Sequence, residues 1–275
     1  MKLIACLLLS VVLFSTACTF NNVEEDKSLK KYFDENKATG CFGLFDNGTG
    51  RFTIYNIPRY RDSSYLPAST FKIVNSLIGL QTGAISSDSM VIKWDGIKRR
   101  DEWDKDLTMY QAFRVSAVPY YQEVARRIGK DSMQSRLNTM RYGAKSDTDQ
   151  VMLTSAIDTF WLDNSIKVTP DEQLGLVKRL YFDQLPVYNI YQEMVKNAML
   201  VESNANYKLS YKTGWGFNEQ GDNIGWVVGW IEENNHPYFF VLNIESPDKA
   251  FDMSTIRIKM LKDILKDLGF FEGRM

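Results

Sequence analysis

The sequence predicts an α+β fold, because strand-like runs lie at both ends of the chain, helical periodicity fills the middle, and a last amphipathic stretch closes it. The two chain ends would then complete one antiparallel sheet flanked by helices. A mostly helical block of about residues 69–195 would be inserted between them, with the active cleft where the two parts meet. Of the 275 residues, 1–17 read as a leader, 18–31 as a polar tether and 32–275 as one catalytic domain.

Taken in order, the polar stretch 21–31 reads as a tether or the start of a first helix. Residues 41–45 and 51–55 are strand-like around Asn47-Gly48-Thr49-Gly50, which predicts a hairpin. From Ser69 the period changes, and Phe71, Val74, Leu77, Ile78 and Leu80 recur at helical spacing until Gly83 stops them. Pro119 opens a helix that Gly129 closes, and Asp131 can cap another reaching Tyr142. Thr169-Pro170-Asp171-Glu172 is a capping box with Pro in the first turn. Residues 208–215, 224–231 and 238–244 are apolar or alternating between Gly/Asn-rich turns, as in an antiparallel meander, and 256–268 form the closing helix.

Charge and histidine content narrow the chemistry. Lys and Arg number 33 against 34 Asp and Glu, a net charge of -1, so no overall field draws the chain to nucleic acid or an acidic membrane. The one histidine, His236, lies in Asn234-Asn235-His236-Pro237, a turn signal between two apolar runs. A Ser-His-Asp triad, a Cys-His dyad or a histidine-built metal site would each need it. A hydrolase of this sequence is therefore expected to use another base and no metal.

Met1-Lys2, the apolar run 3–14 and the small residues Ser15-Thr16-Ala17 have the charge, length and cleavage pattern of a secretory signal too short to remain as a spanning helix. Ser15 and Ala17 suit ordinary signal cleavage, whereas Ala17-Cys18 suits a bacterial lipoprotein route that would anchor the chain to a membrane through lipid on Cys18. Either route implies the periplasm. Cys6 leaves with the leader, and Cys41 then has only an unlipidated Cys18 to pair with, so no disulfide framework is expected.

Ser-x-x-Lys occurs at Ser28/Lys31, Ser69/Lys72 and Ser246/Lys249. Only Ser69 begins a strongly apolar helix, after Leu66-Pro67-Ala68, where an amine about 4.5 Å further along the axis shares its face. Such a setting can desolvate the lysine, and it gives the hydroxyl an activating base with helix-end amides nearby for an oxyanion. The other two pairs lie in polar surroundings and read as solvated surface. Lys212-Thr213-Gly214 occurs once. Lys212 would offer positive charge to a carboxylate, Thr213 a hydroxyl donor, and Gly214 a place where substrate can approach the backbone.

These two motifs occur together in serine β-lactamases and penicillin-binding proteins. The usual third element, Ser-Asp-Asn, is absent, and Ser116-Ala117-Val118 stands instead before the Pro119 helix. With Pro67-Ala68-Ser69-Thr70-Phe71-Lys72, the Trp103 region, Tyr142-Gly143, Phe160-Trp161-Leu162, Thr169-Pro170 and Lys212-Thr213-Gly214-Trp215-Gly216, the chain resembles the class D, oxacillinase-type serine β-lactamases over nearly its whole mature length. The resemblance implies Ser69 as acylated nucleophile, Lys72 carboxylated by carbon dioxide as general base, and Ser116 as proton relay. It further implies Val118 as a wall around the lysine, Trp161 as donor to the carbamate, and the Ser69 and Trp215 amides as oxyanion hole. Arg257 resembles the family arginine that pairs with the substrate carboxylate. The family's Tyr-Gly-Asn ends in Ala144 here, which leaves Tyr142 as a cleft-lining residue.

The implied activity is hydrolysis of penicillin-type β-lactams with antibiotic resistance as its consequence. Two alternatives stand beside it, a penicillin-binding sensor and a Ser-Lys peptidase or transpeptidase. No apolar run of membrane length follows the leader, against the sensor, and the missing Ser-x-Asn weighs against the peptidase.

Overall fold

A computed structural model describes residues 22–143 and 150–275. The expected leader, Cys6, Cys18 and Ala144 lie outside them. The described chain opens with Val23–Glu25 (β1), a 3-10 turn and Lys30–Glu35 (α1), followed by the expected hairpin of Thr39–Asp46 (β2) and Arg51–Tyr55 (β3). β1 pairs in parallel with β3. Of the two readings of this stretch, the start of a first helix holds over residues 27–31: Asp26 caps the 3-10 turn by accepting from the Ser28 N–H, Leu29 is fully buried, and α1 follows directly. A three-residue edge strand carries too little alternation to show in the sequence.

Ile57–Asp62 (α2) follows. The helix expected from Ser69 starts later, since Ala68–Phe71 is a 3-10 turn running into Lys72–Thr82 (α3), which Gly83 caps at φ 77°. Val91–Ile92 (β4) and Leu107–Thr108 (β5) make a two-stranded ribbon around the 93–106 loop. Then come Met109–Arg114 (α4), Val118–Ile128 (α5), Lys130–Met140 (α6), Pro170–Tyr181 (α7) and Asn189–Met199 (α8). Pro119 and Gly129 bound α5 as predicted. Gly129 also occupies the N-cap position of α6, so Asp131 falls inside the first turn, and the helix ends at Arg141. The Thr169/Glu172 capping box of α7 is complete.

Leu200–Ser203 (β6), Tyr207–Phe217 (β7), Asn223–Glu233 (β8), His236–Ser246 (β9) and Met253–Asp267 (α9) finish the described chain. The main sheet has the order β1-β3-β2-β9-β8-β7-β6, so β9 joins β2 and the two chain ends share one sheet as expected. β8 is buried on both faces, which explains its continuous apolar run: Trp226, Val228 and Trp230 pack toward the helical block, while Val227 and Ile231 join Leu261 and Ile264 of α9. Asn234 and Asn235, at φ 51° and 62°, form the tight β8–β9 turn that their side chains tolerate. His236 opens β9, its Nε2 2.8 Å from Asp46 Oδ1 at the β2–β3 turn.

Candidate active site

Ser69 lies in the 3-10 turn leading into α3. Residues i and i+3 eclipse in such a turn, which stacks Lys72 over Ser69 and brings Nζ to 2.8 Å from Oγ. The preceding residue, Ala68, has φ 48°, a left-handed conformation that costs a non-glycine residue about 1–3 kcal/mol and persists only when its surroundings enforce it. They do so here. The Ala68 N–H donates to Trp161 O (3.1 Å), the Trp226 indole to Leu66 O (2.9 Å), and the Thr70 hydroxyl to Pro67 O (2.7 Å) while accepting from Gln173 Nε2 (2.7 Å). From the other side comes β7. A Cβ on Gly214 would stand 2.9 Å from Pro67 O and 3.2 Å from Thr70 Cγ2. The bare α-carbon of Gly214 thus admits the protein's own turn.

Lys72 is fully buried. The neighbouring Phe71 ring stacks on Trp161 (5.2 Å, 23°) and meets Phe160 edge-on, while the Tyr121 ring centre is 5.5 Å from Nζ. Burial alone brings the Lys72 amine from 10.5 down to about 7. Trp161 is fully buried too, and its Nε1–H has no acceptor. A buried orphan donor costs about 1–3 kcal/mol, which an acceptor brought to it would recover.

Ser116 occupies the turn between α4 and α5 at φ 57°, held by the Ala117 N–H donating to Ala112 O (2.8 Å). Lys212, from the middle of β7 and 4% exposed, donates to Ser116 Oγ at 3.0 Å. Arg257, in the first turns of α9, donates through Nη1 to Gly214 O (2.6 Å), and its Nε is buried without a partner. It is no exposed helix charge. Burial brings Arg257 down to about 10. Burial, then the positive charges of Lys72, Arg257 and Arg114, hold Lys212 well below the usual lysine range. A cleft of about 240 Å³ lies against Lys212, Thr213, Arg257, Arg114 and Tyr211. Cations confined this way, with no carboxylate bridged to Lys212 or Arg257 among the described residues, favour an incoming anion.

The remaining expected residues divide. Val118 heads α5, half-buried. Trp215 is exposed on β7 with its indole donating to Asn223 Oδ1 (3.0 Å). Trp103 braces the Ser116 turn, its indole donating to Val115 O (3.0 Å). Tyr142 does not line a cleft: it is buried, its ring 5.7 Å from that of Phe71, because the chain leaves α6 into the core. Ser246 is no surface residue either, since β9 buries it, whereas Ser28 and Lys31 are exposed as expected. His236 stands apart from this constellation. Among the described residues no cluster of His, Cys, Asp or Glu could hold a metal ion. Gln173, Trp226, Arg114 and Tyr211 belong to the site or its support without having been anticipated. The capping box that fixes the start of α7 was the one available signal, for Gln173.

Comparison with known proteins agrees with this geometry. Residues 30–266 match the family described as the penicillin-binding protein transpeptidase domain. The β-lactamase OXA-48 of Klebsiella pneumoniae is 36% identical over 245 residues, 88% of each chain. The probable β-lactamase YbxI of Bacillus subtilis is 37% identical over 86% of this chain and 84% of that one. Among solved structures, a class D β-lactamase of Sebaldella termitidis superposes with a TM-score of 0.82 at 32% identity, over 90% of this chain and 97% of that one.

Proposed function

This chain belongs to the penicillin-binding transpeptidase-domain family and, within it, to the class D β-lactamases, and we propose that it works through an acyl-Ser69 intermediate with Lys72 carboxylated. Its activity is hydrolysis of β-lactams, with antibiotic resistance as the consequence. One observation carries the mechanism: a fully buried lysine amine lies 2.8 Å from the Ser69 hydroxyl, in a turn whose Phe71 ring stacks on a tryptophan with an unpartnered N–H.

A Lys72 near 7 is about half neutral at pH 7, and only the neutral amine adds carbon dioxide. When formed, the carbamate supplies an anionic base beside Ser69 and an acceptor for the Trp161 N–H. Relieved of its proton, Ser69 Oγ attacks the β-lactam carbonyl carbon. The Ser69 and Trp215 N–H groups receive the developing oxyanion. As the C–N bond breaks, the proton taken from Ser69 is relayed to the nitrogen through the Ser116 hydroxyl, which the Lys212 donor orients. Water then adds to the acyl carbon, giving its proton to the Lys72 carbamate, and as the Oγ–C bond breaks Ser69 Oγ takes that proton back, which frees Ser69 and the ring-opened acid. Lys212, Thr213 and Arg257 hold the substrate carboxylate, and Val118 keeps water from the lysine.

Carbon-13 bicarbonate should give a carbamate resonance in the active protein that disappears in Lys72→Ala. Full turnover in rigorously degassed buffer without that resonance would leave the free amine as base. For placement in the cell, the reading is export to the periplasm, either by ordinary signal cleavage or as a lipoprotein anchored through Cys18. A membrane-bound wild type that becomes soluble as Cys18→Ser supports the anchor, and a wild type already soluble refutes it.

A further inference from the structure

A second cavity, of about 420 Å³, lies between the 93–106 loop and α5, and neither Ser69, Lys72 nor Lys212 lines it. That volume suits a small molecule. Its walls carry Trp94, Trp103 and Tyr120. They are already fixed by hydrogen bonds: the Trp94 N–H to Asp106 Oδ1 (2.9 Å), the Trp94 indole to Ile97 O (3.1 Å), the Trp103 indole to Val115 O (3.0 Å) and the Tyr120 hydroxyl to Met90 O (3.1 Å). The 93–106 loop is clamped further by Arg99, which bridges Asp95 at 2.7 Å and whose N–H donates to Asp104. A cavity held open by such bonds pays little ordering cost on binding.

The charges on its walls do not balance. Both carboxylates are already engaged, Asp95 by Arg99 and Glu123 by Arg126 (3.1 Å) and Arg127 (2.8 Å). Lys93 and Lys105, exposed on the rim, form no ion pair among the described residues. Flat aromatic walls with two uncompensated ammonium groups at the mouth match a flat apolar body carrying one anionic group.

We propose that this cavity, between the 93–106 loop and α5, is a binding site for small aromatic carboxylates or sulfonates, separate from the catalytic cleft. The test uses the intact protein and 2-naphthalenesulfonate, with 2-naphthalenemethanol as the uncharged control. Titration should show saturable binding, and the indole N–H signals of Trp94 and Trp103, assigned through Trp94→Phe and Trp103→Phe, should move. Lys93→Glu/Lys105→Glu changes only exposed side chains and should weaken the sulfonate at least about fivefold, the range expected when two rim charges are reversed. Arg257→Ala, which alters the catalytic cleft, should bind it as wild type does. Loss of binding in Arg257→Ala with Lys93→Glu/Lys105→Glu unaffected would place the probe in the catalytic cleft and overturn the proposal. So would equal affinity for the uncharged alcohol, or no saturable binding at millimolar concentration.

Discussion

Two buried lysines in this site each hold a serine hydroxyl at nearly the same distance, Lys72 with Ser69 at 2.8 Å and Lys212 with Ser116 at 3.0 Å, yet their surroundings differ. Lys72 sits among aromatic rings, and burial alone lowers its pKa. Lys212 sits among cations, so Lys72, Arg257 and Arg114 add repulsion to burial. The two amines therefore gain from different events. Under the proposed mechanism Lys72 gains by becoming an anion, whereas Lys212 and Arg257 gain when an anion arrives. The events reinforce each other, because a negative charge on Lys72 turns its repulsion of Lys212 into attraction. A local sequence of Ser and Lys does not specify a role; the walls around the pair do.

The largest expected effects fall on the first pair. Ser69→Ala should abolish covalent labelling by a penicillin, since the other hydroxyl of the turn, that of Thr70, is buried and donates to Pro67 O. Lys72→Ala, to the extent that it acylates, should accumulate a stable adduct because deacylation lacks its base. Mass spectrometry of the intact protein distinguishes these outcomes. A Lys72→Ala protein that turns over at the wild-type rate would erase the contrast between the two lysines.

Next come losses of about a hundredfold, through carbon dioxide. With Lys72 near 7, the neutral amine falls tenfold per pH unit below that value and is about one in a hundred at pH 5. Initial rates in degassed buffer should therefore decline as pH drops through 7 and recover when carbon dioxide is restored. Trp161→Phe keeps most of the ring packing but removes a charge-assisted donor, worth about 1.5–3 kcal/mol, so the variant should need added bicarbonate even at neutral pH. A Trp161→Phe enzyme indifferent to bicarbonate would remove the indole from the proposed chemistry.

The second pair predicts a loss in substrate binding. Arg257→Ala removes a charge-assisted contact of about 1.5–3 kcal/mol, seen mainly as a KM raised roughly tenfold to a hundredfold. Esterifying the substrate carboxylate should harm wild type far more than this variant. Equal harm to both would leave Arg257 only its bond to Gly214 O.

Much of this architecture was legible because it repeats. The alternating or continuously apolar runs of β7 to β9, the 3.6-residue period of α3 and the α7 capping box each state their element locally. β1 and β4 are too short to show a period, and exposed Tyr188 and Ile190 blur the start of α8. Ser69, Lys72 and Lys212 were found through motifs, but the left-handed conformations of Ala68 and Ser116 had no glycine to announce them. The Ala68 conformation is imposed by a distant partner, Trp161 O, and a long-range hydrogen bond leaves no local pattern, while the Ser116 turn is closed by the Ala117 N–H on Ala112 O without any turn residue to mark it. For the same reason Tyr142 was placed in the cleft, although packing buries it.

The smallest expected effect separates the two indoles and so sharpens the comparison of the two pairs. Trp161 carries an unused N–H beside the Ser69–Lys72 turn, whereas the Trp103 N–H is committed to Val115 O, one residue before Ser116. Removing the committed donor by Trp103→Phe deletes a neutral hydrogen bond worth about 0.5–1.5 kcal/mol. Because Val115 is only half-buried, water can take over at its carbonyl and limit the loss. The Ser116 turn should loosen while Lys72 and its pocket stay intact. Turnover should then fall about two- to tenfold, through leaving-nitrogen protonation, and added bicarbonate should restore none of it. Bicarbonate rescue of Trp103→Phe would show that the two pairs share one support and would end the distinction drawn between them.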